Sequence, residues 1–224
     1  MKTLLDLDNW NRKGHFLFFK QMDEPFFGVT VEIDCTIAYA NAKNLKTSFF
    51  IYYLHKTLVA INAIESFRYR IAGDQVYIHD NIGGSATIGR EDGTFGFSLI
   101  DYDSDFRIFE KIASAEIERV QNTTGLFTLT FNEENIIHFS AIPWINFTSL
   151  SHARSYSFHD SCPKVSFGKM MISETGKRIF SMSVHVHHGL IDALHVGQFV
   201  DHFQELMNSQ STKPIIIPKS QLHS

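Results

Sequence analysis

An α/β domain built on a mixed sheet is predicted by three features of the sequence. Strand and helix patterns are intermixed along the chain rather than separated into blocks, no Pro- or Gly-rich linker divides it, and 44% of its 224 residues are hydrophobic, enough for one substantial core. Residues 1–208 are read as that single domain. Residues 209–224, polar around Lys213-Pro214-Ile215-Ile216-Ile217-Pro218 and without a helical period, are read as a tail.

Asn9 to about Met22 reads as an N-terminal helix, and Phe26 to Asp34, rich in β-branched and aromatic residues, as a strand. Thr36 to Lys43 suggests a short helix. Ser48 is placed to cap the next one, where Phe50, Leu54, Leu58, Ile61 and Ile64 form an apolar stripe. Phe67 to Ile71 and Val76 to Ile78 flank Ala72-Gly73-Asp74 as a hairpin. Ser85 to Gly89 and Phe95 to Ile100 read as strands. Asp103-Ser104-Asp105 precedes a helix carrying Phe106, Phe109, Ile112, Ile117 and Val120 on one side and ending near Asn122. Leu126 to Phe131, Ile136 to Ile142 and, past a proline bend, Trp144 to Leu150 are strand candidates. Lys164 to Met170 and Arg178 to His188 are the last strands, joined by a turn at Glu174-Thr175-Gly176-Lys177.

Composition narrows the function classes. The net charge is −4 with a pI near 6.3, and the basic residues are scattered, which argues against a nucleic-acid partner or an anionic membrane surface. Cys35 and Cys162 form no metal-type pair and no disulfide framework, so a reducing cytoplasm is expected. Met1 to His15 carries Asp6 and Asp8 and does not read as a signal peptide; Phe49 to Ile64 is too short, with His55 and Lys56, to span a bilayer.

The most informative segment is Ser183-Val184-His185-Val186-His187-His188-Gly189-Leu190-Ile191-Asp192-Ala193. Phe180, Met182, Val184 and Val186 alternate with Ser181, Ser183, His185 and His187, which places His188 on the apolar face and turns His185 and His187 to the other, toward solvent or an interface. From Ile191 the period becomes helical through Leu194, Phe199, Phe203 and Leu206 to about Met207. A histidine at such a junction is partly desolvated, which favours the neutral imidazole a general base requires. Against this stands the more ordinary reading of a buried structural histidine. A metal site from His185, His187, His188 and His195 lacks a third ligand at a suitable spacing, so no metal is expected.

His187-His188-Gly189-Leu190-Ile191-Asp192-Ala193-Leu194-His195-Val196-Gly197 resembles the histidine-aspartate signature of chloramphenicol acetyltransferases. Ser140-Ala141-Ile142-Pro143-Trp144-Ile145-Asn146-Phe147-Thr148-Ser149 resembles that family's serine block, and Trp10-Asn11-Arg12-Lys13-Gly14-His15-Phe16 its N-terminal motif. Gly168-Lys169 after a short strand agrees as well, and the likeness runs from about Asn9 to Met207. It implies a homotrimer of α/β subunits with active sites at the interfaces, acetyl-CoA as co-substrate and a small hydroxylated acceptor, chloramphenicol. Under it His188 would take the acceptor's hydroxyl proton for direct attack on the thioester, and Ser140 would hydrogen-bond the tetrahedral oxyanion. Asp192 would organise the site through an arginine, near whose position Lys20 falls. Trp144 and Lys169 would meet CoA, and Ser166 stands where the family has a threonine that reaches the intermediate through water.

Departures bear on the acceptor. Ala193 replaces a glycine, Phe27 stands for a drug-binding tyrosine, and Leu150 and His152 replace an apolar wall. Thr87, Phe95 and Phe127 would complete an apolar and aromatic acceptor pocket, although with 21 phenylalanines Phe27, Phe95 and Phe127 fit a core equally well. Asp192 is also suited to a plain helix cap, a role compatible with the other. Two further readings stay open: acetyl transfer to a different hydroxylated small molecule, and a non-catalytic homologue binding CoA or another ligand. A looser likeness to the acyltransferase domains of dihydrolipoyl dehydrogenase complexes is weakened by the lack of a lipoyl domain and linker.

Overall fold

The structure, a computed structural model, describes residues 1–129, 134–154 and 160–210. Ten strands and five α-helices occur among them: β1 Lys2–Leu4, α1 Lys13–Phe19, β2 Phe26–Asp34, α2 Thr36–Leu45, α3 Phe49–Ala63, β3 Tyr69–Ala72, β4 Gln75–His79, β5 Gly83–Gly89, β6 Phe95–Phe97, α4 Phe106–Gln121, β7 Ile136–Ala141, β8 Lys164–Phe167, β9 Met171–Ile172, β10 Arg178–His187 and α5 Ala193–Asn208. The main sheet runs β2-β10-β8-β7-β5-β6, with β9 paired to the start of β10. Its β8-β7-β5 centre is parallel and its flanks are antiparallel, so the mixed α/β prediction holds. A small second sheet, β1-β4-β3, takes up the chain's first residues, which the sequence did not single out.

Alternation gives the main sheet two unlike faces. One carries Val29, Val31 and Ile33 of β2, Phe180, Met182, Val184 and Val186 of β10, Val165 and Phe167 of β8, and Ile137 and Phe139 of β7, all packed in the core. The helices lie here: Phe167 meets Tyr53 of α3 and Phe203 of α5, and Phe180 meets Phe49. Helix α3 is buried all round from Ile51 to Ile61, and even His55 and Lys56 are enclosed. The other face presents Thr30, Ser183, His185, His187, Lys164, Ser166, His138, Ser140, Ser85 and Thr87.

Several boundaries differ from the expectations. The N-terminal helix is confined to α1, because Asp8 to Trp10 turn to carry Trp10 onto Tyr69. Phe67 and Arg68 form a 3₁₀ turn before the hairpin. Ser48 occupies the N-cap of α3 without a side-chain bond, whereas Asp105 caps α4 through the Arg107 and Ile108 amides. Strand β6 stops at Phe97. Phe127 makes an isolated bridge to Phe97 rather than part of a strand, and residues 130–131 of that candidate lie outside the described residues. Trp144 to Leu150 is non-strand, since the Ile145 N–H closes a turn on the Ile142 carbonyl. Leu194, assigned to the buried stripe of α5, is 64% exposed because it sits in the first turn, ahead of where the helix docks. Cys35 and Cys162 are buried and unpaired. The proposed tail lies, from residue 211, outside the described residues, and no described helix is long and apolar enough to cross a membrane.

Candidate active site

Strand β10 ends one residue before the histidine that the sequence singles out. The His188 N–H donates to the Pro25 carbonyl at 2.8 Å, and the His187 carbonyl accepts the Leu190 and Ile191 amides at 2.9 and 3.0 Å, so the chain turns sharply here. His187 is not a solvent residue: it is 4% exposed and its Nδ1 accepts the Gly189 N–H at 3.1 Å. Burial, aided by Arg154, pulls its pKa down to about 4, consistent with a neutral ring that accepts. Gly189 suits this tight turn, since a Cβ there would lie 3.0 Å from the His187 ring and 3.3 Å from the Phe16 backbone, closer than side chains ordinarily pack.

The His188 ring is half-buried between two phenylalanines. Phe19 of α1 stacks on it at 4.0 Å with the planes 9° apart, and Phe27 lies tilted at 4.6 Å. Its Nδ1 is enclosed and has no partner among the described residues. Both phenylalanines thus fix the plane of the imidazole. Phe27, expected in the acceptor pocket, packs on the histidine, because it shares the core-side face with Val186.

Asp192 is the N-cap of α5. Its carboxylate accepts the Leu194 and His195 amides, and the His195 Nδ1 accepts the Asp192 N–H at 3.2 Å in return. The remaining oxygen, Oδ2, accepts from Arg12 Nη1 at 2.5 Å, and Arg12 Nη2 donates to the His188 carbonyl at 3.2 Å. Burial works to raise the Asp192 carboxyl, but His195 and the Arg12 guanidinium hold it below the usual carboxylate range. His195 itself is lowered by burial against the pull of Asp192, which suits its acceptor role. The arginine partner is therefore Arg12 and not a residue near Lys20, whose ammonium pairs with Asp74 at 2.8 Å. Arg12 stood in plain view within the N-terminal motif, and Phe19 one helical turn beyond Phe16. What hid their roles is that 176 and 169 residues separate them from His188.

The serines sit elsewhere. Ser140 pairs with Ser166 across β7 and β8, and Ser166 with Ser183 across β8 and β10. His188 lies five residues beyond Ser183. At about 3.3 Å per residue and 4.8 Å per strand, Ser140 and His188 of one chain are roughly 19 Å apart. Ser140 is half-buried on the polar face, while Ser166 is fully buried and within 3.4 Å of the His152 Nε2. His152 in turn meets His185 edge-on at 4.8 Å, and the His185 ring lies directly against the β2 backbone, where a Cβ on Gly28 would fall 2.3 Å from its Nε2. Both rings are lowered chiefly by burial, His152 to about 4.

Thr87 shares that face with Ser140 and pairs with Phe97 at the far edge of the sheet. Phe95 and Phe127 flank Phe97 there, 47% and 68% exposed. Leu150 is partly buried, two residues from His152. Trp144 is 79% exposed, and Lys169, also exposed, is drawn to the same turn by its N–H bond to the Ile145 carbonyl at 2.9 Å. Gly168 allows that approach, since a Cβ would stand 3.2 Å from the Ile145 oxygen.

Comparison with known proteins places this arrangement. Residues 1–204 match the family model described as chloramphenicol acetyltransferase. Chloramphenicol acetyltransferase 3 of Escherichia coli is 28% identical over 93% of this chain and 98% of its own, and the Staphylococcus aureus chloramphenicol acetyltransferase is 30% identical over 90% and 94%. A solved chloramphenicol acetyltransferase superposes with a TM-score of 0.85 at 31% identity, covering 92% of this chain and all of the other. A probable dihydrolipoamide acetyltransferase from Listeria monocytogenes shares the fold alone, at a TM-score of 0.63 and 16% identity over 88% of this chain and 89% of its own. With a histidine clamped between aromatic rings at a strand-to-helix turn, a carboxylate fixed by Arg12 beneath it, and a match spanning nearly the whole length, the chain belongs to the chloramphenicol acetyltransferase family of acetyltransferases.

Proposed function

We propose that the chain moves the acetyl group of acetyl-CoA to a hydroxyl of chloramphenicol, at a site shared between copies of itself in a homotrimer. The observation that carries the shared site is the separation of about 19 Å between Ser140 and His188, too far for one chain to present both to one reacting carbon. His188 of one copy accepts the acceptor's hydroxyl proton as the oxygen attacks the thioester carbonyl. Ser140 of the next copy donates to the oxyanion that forms, a hydrogen bond that becomes strong only as charge develops. Collapse of the tetrahedral species expels the CoA thiolate, which takes the proton back from His188. Asp192 and Arg12 touch neither reactant; they hold the backbone under His188. Ser166, on the neighbouring strand, reaches the same intermediate through a water.

CoA supplies the activated acetyl group, and this chain's residues suit its entry: an exposed indole at Trp144 and an exposed ammonium at Lys169 on one turn offer a stacking plane and a phosphate contact. Thr87, Phe95, Phe127 and Leu150 line the acceptor side once a neighbouring copy covers them, which accounts for the exposure of Phe95 and Phe127 in a single chain. The chain would act in the cytoplasm, where acetyl-CoA is available.

Subunit complementation tests this. His188→Ala and Ser140→Ala are each expected to lose at least about a hundredfold in kcat, the scale of a lost base or oxyanion donor. Co-expressed, the two should recover a substantial share of the wild-type rate, because mixed trimers contain interfaces with both residues intact. Inactive singles without recovery on mixing, in trimers shown to have exchanged, would refute a shared site. A near wild-type rate in His188→Ala would refute the mechanism.

A further inference from the structure

Asp192 holds Arg12, Arg12 holds the backbone under His188, and one more side chain completes this series of contacts. His195 stands at the third position of α5, where a side-chain acceptor can bond back to the amide of the cap residue. Its Nδ1 is 3.2 Å from the Asp192 amide nitrogen, whose N–H it accepts, and 2.8 Å from Asp192 Oδ1. One ring nitrogen thus faces both a donor and a carboxylate oxygen of the same residue. A neutral ring with its proton on Nε2 offers the amide a lone pair. A charged ring has none to offer, and its Nδ1–H can only turn to the carboxylate. The side chain is 22% exposed, so protons from solvent reach it.

The two states of the ring differ in what they leave to Arg12. With His195 neutral, Asp192 Oδ1 caps the Leu194 and His195 amides, and Oδ2 is given to Arg12, which spans from that oxygen to the His188 carbonyl. With His195 charged, the Asp192 N–H loses its acceptor and two cations compete for one carboxylate, so Oδ1 is drawn from the cap and the hold on Arg12 weakens. Among the described residues, the charged groups that bear on the ring are Asp192 of its own helix and Arg12 from the turn before α1, and they oppose each other. Burial tips the balance to the neutral ring, below the ordinary histidine range. The clamp is therefore intact near neutral pH and is lost as pH falls.

We propose that His195 is a positioning residue for the transfer step: as a neutral ring it keeps the Asp192–Arg12 clamp closed under His188, and on taking a proton it opens it. This rests on the acetyl-transfer reading. His195 touches neither reactant and exchanges no proton with them. It acts through the Asp192 backbone and the Arg12 guanidinium on the placement of the base, so its loss lowers turnover rather than binding.

The test is release of CoA thiol by the full-length protein, with chloramphenicol or whichever hydroxylated acceptor it turns over fastest, from about pH 5 to about pH 8 wherever circular dichroism shows the protein folded. His195→Leu, which cannot accept, should lose about tenfold in kcat at the upper end, with both KM values within about twofold of wild type. His195→Gln keeps an acceptor for the Asp192 N–H and does not titrate. It should stay within about threefold of the wild-type kcat, and its kcat/KM should fall less steeply with acid, His188 being the group left to protonate. A plain capping residue would move only the unfolding midpoint, so an unchanged kcat in His195→Leu overturns the proposal. A glutamine variant as slow as the leucine one, or with the acid limb of wild type, overturns it too. Should His195→Leu fail to fold, the acid limb of His195→Gln decides alone. A native chain that releases no thiol with any hydroxylated acceptor would refute acetyl transfer itself, and the clamp is then read from the NMR signal of the Arg12 guanidinium. A signal that follows the His195 titration in the native chain but not in His195→Gln sustains the proposal, and one that moves alike in both overturns it.

Discussion

Asp192→Asn separates the two roles of this residue. Asparagine keeps an oxygen to cap α5, but it removes the charge opposite Arg12. The Arg12 side chain is 11% exposed and that of Asp192 31%, so the pair lies between an exposed ion pair, about 0–1 kcal/mol, and a buried pair broken from one side, about 3–5 kcal/mol. A destabilisation of about 2 kcal/mol is expected. Asp192→Ala loses the cap as well and should cost about 3 kcal/mol. Arg12→Met combined with Asp192→Asn leaves no uncompensated guanidinium and should recover about 1 kcal/mol relative to the sum of the single changes. Urea unfolding at fixed protein concentration reads these as shifts in midpoint with unchanged slope. The Arg12 hydrogen bond to the His188 carbonyl also anchors the base, so turnover should fall at least about tenfold in Arg12→Met. An Asp192→Asn stability within about 0.5 kcal/mol of wild type, with the double variant strictly additive, would refute the coupling of cap, ion pair and base.

Gly28→Ala sets a methyl group where the His185 ring now lies, and should lower stability by about 1–3 kcal/mol. Adding His185→Ala should relieve most of that loss; thermal unfolding that shows no relief would disprove the close approach. Asp105→Ala should cost about 1 kcal/mol by freeing two amides at the start of α4, measurable by urea midpoint. Acid should unfold the protein over a defined window. His55, His79, His152 and His187 are held by burial at about 4, below the ordinary value, so the unfolded chain binds protons first. Stability from these rings is full above about pH 6.5 and drains as pH falls toward 4, by up to about 1.4 kcal/mol per pH unit for each. A midpoint flat across that range would contradict the burial of these histidines as neutral rings.

The sequence alone determined what local periodicity and local chemistry determine. Alternation along Arg178 to His188, the change of period at Ile191 and the acidic residue at the junction are enough for the strand, the turn, the helix and the direction of the histidine, because each depends on neighbours within a few residues. The same holds for β2, α3 and the Asp105 cap. Tertiary structure decided the rest. Alternation said that His185 and His187 leave the apolar face, but only the sheet register could say that Phe26, Arg154 and His152 cover them there. Arg12 and Phe19 reach His188 because α1 packs over the end of β10, a long-range approach to which no spacing in the chain corresponds. Strand order decided the last point: three serines from β7, β8 and β10 stand in one row, on the face away from the helices and far from the histidine of the same chain. Which residues share a site is set by which strands are neighbours, and that is fixed by the packing of the whole sheet rather than by any segment of it.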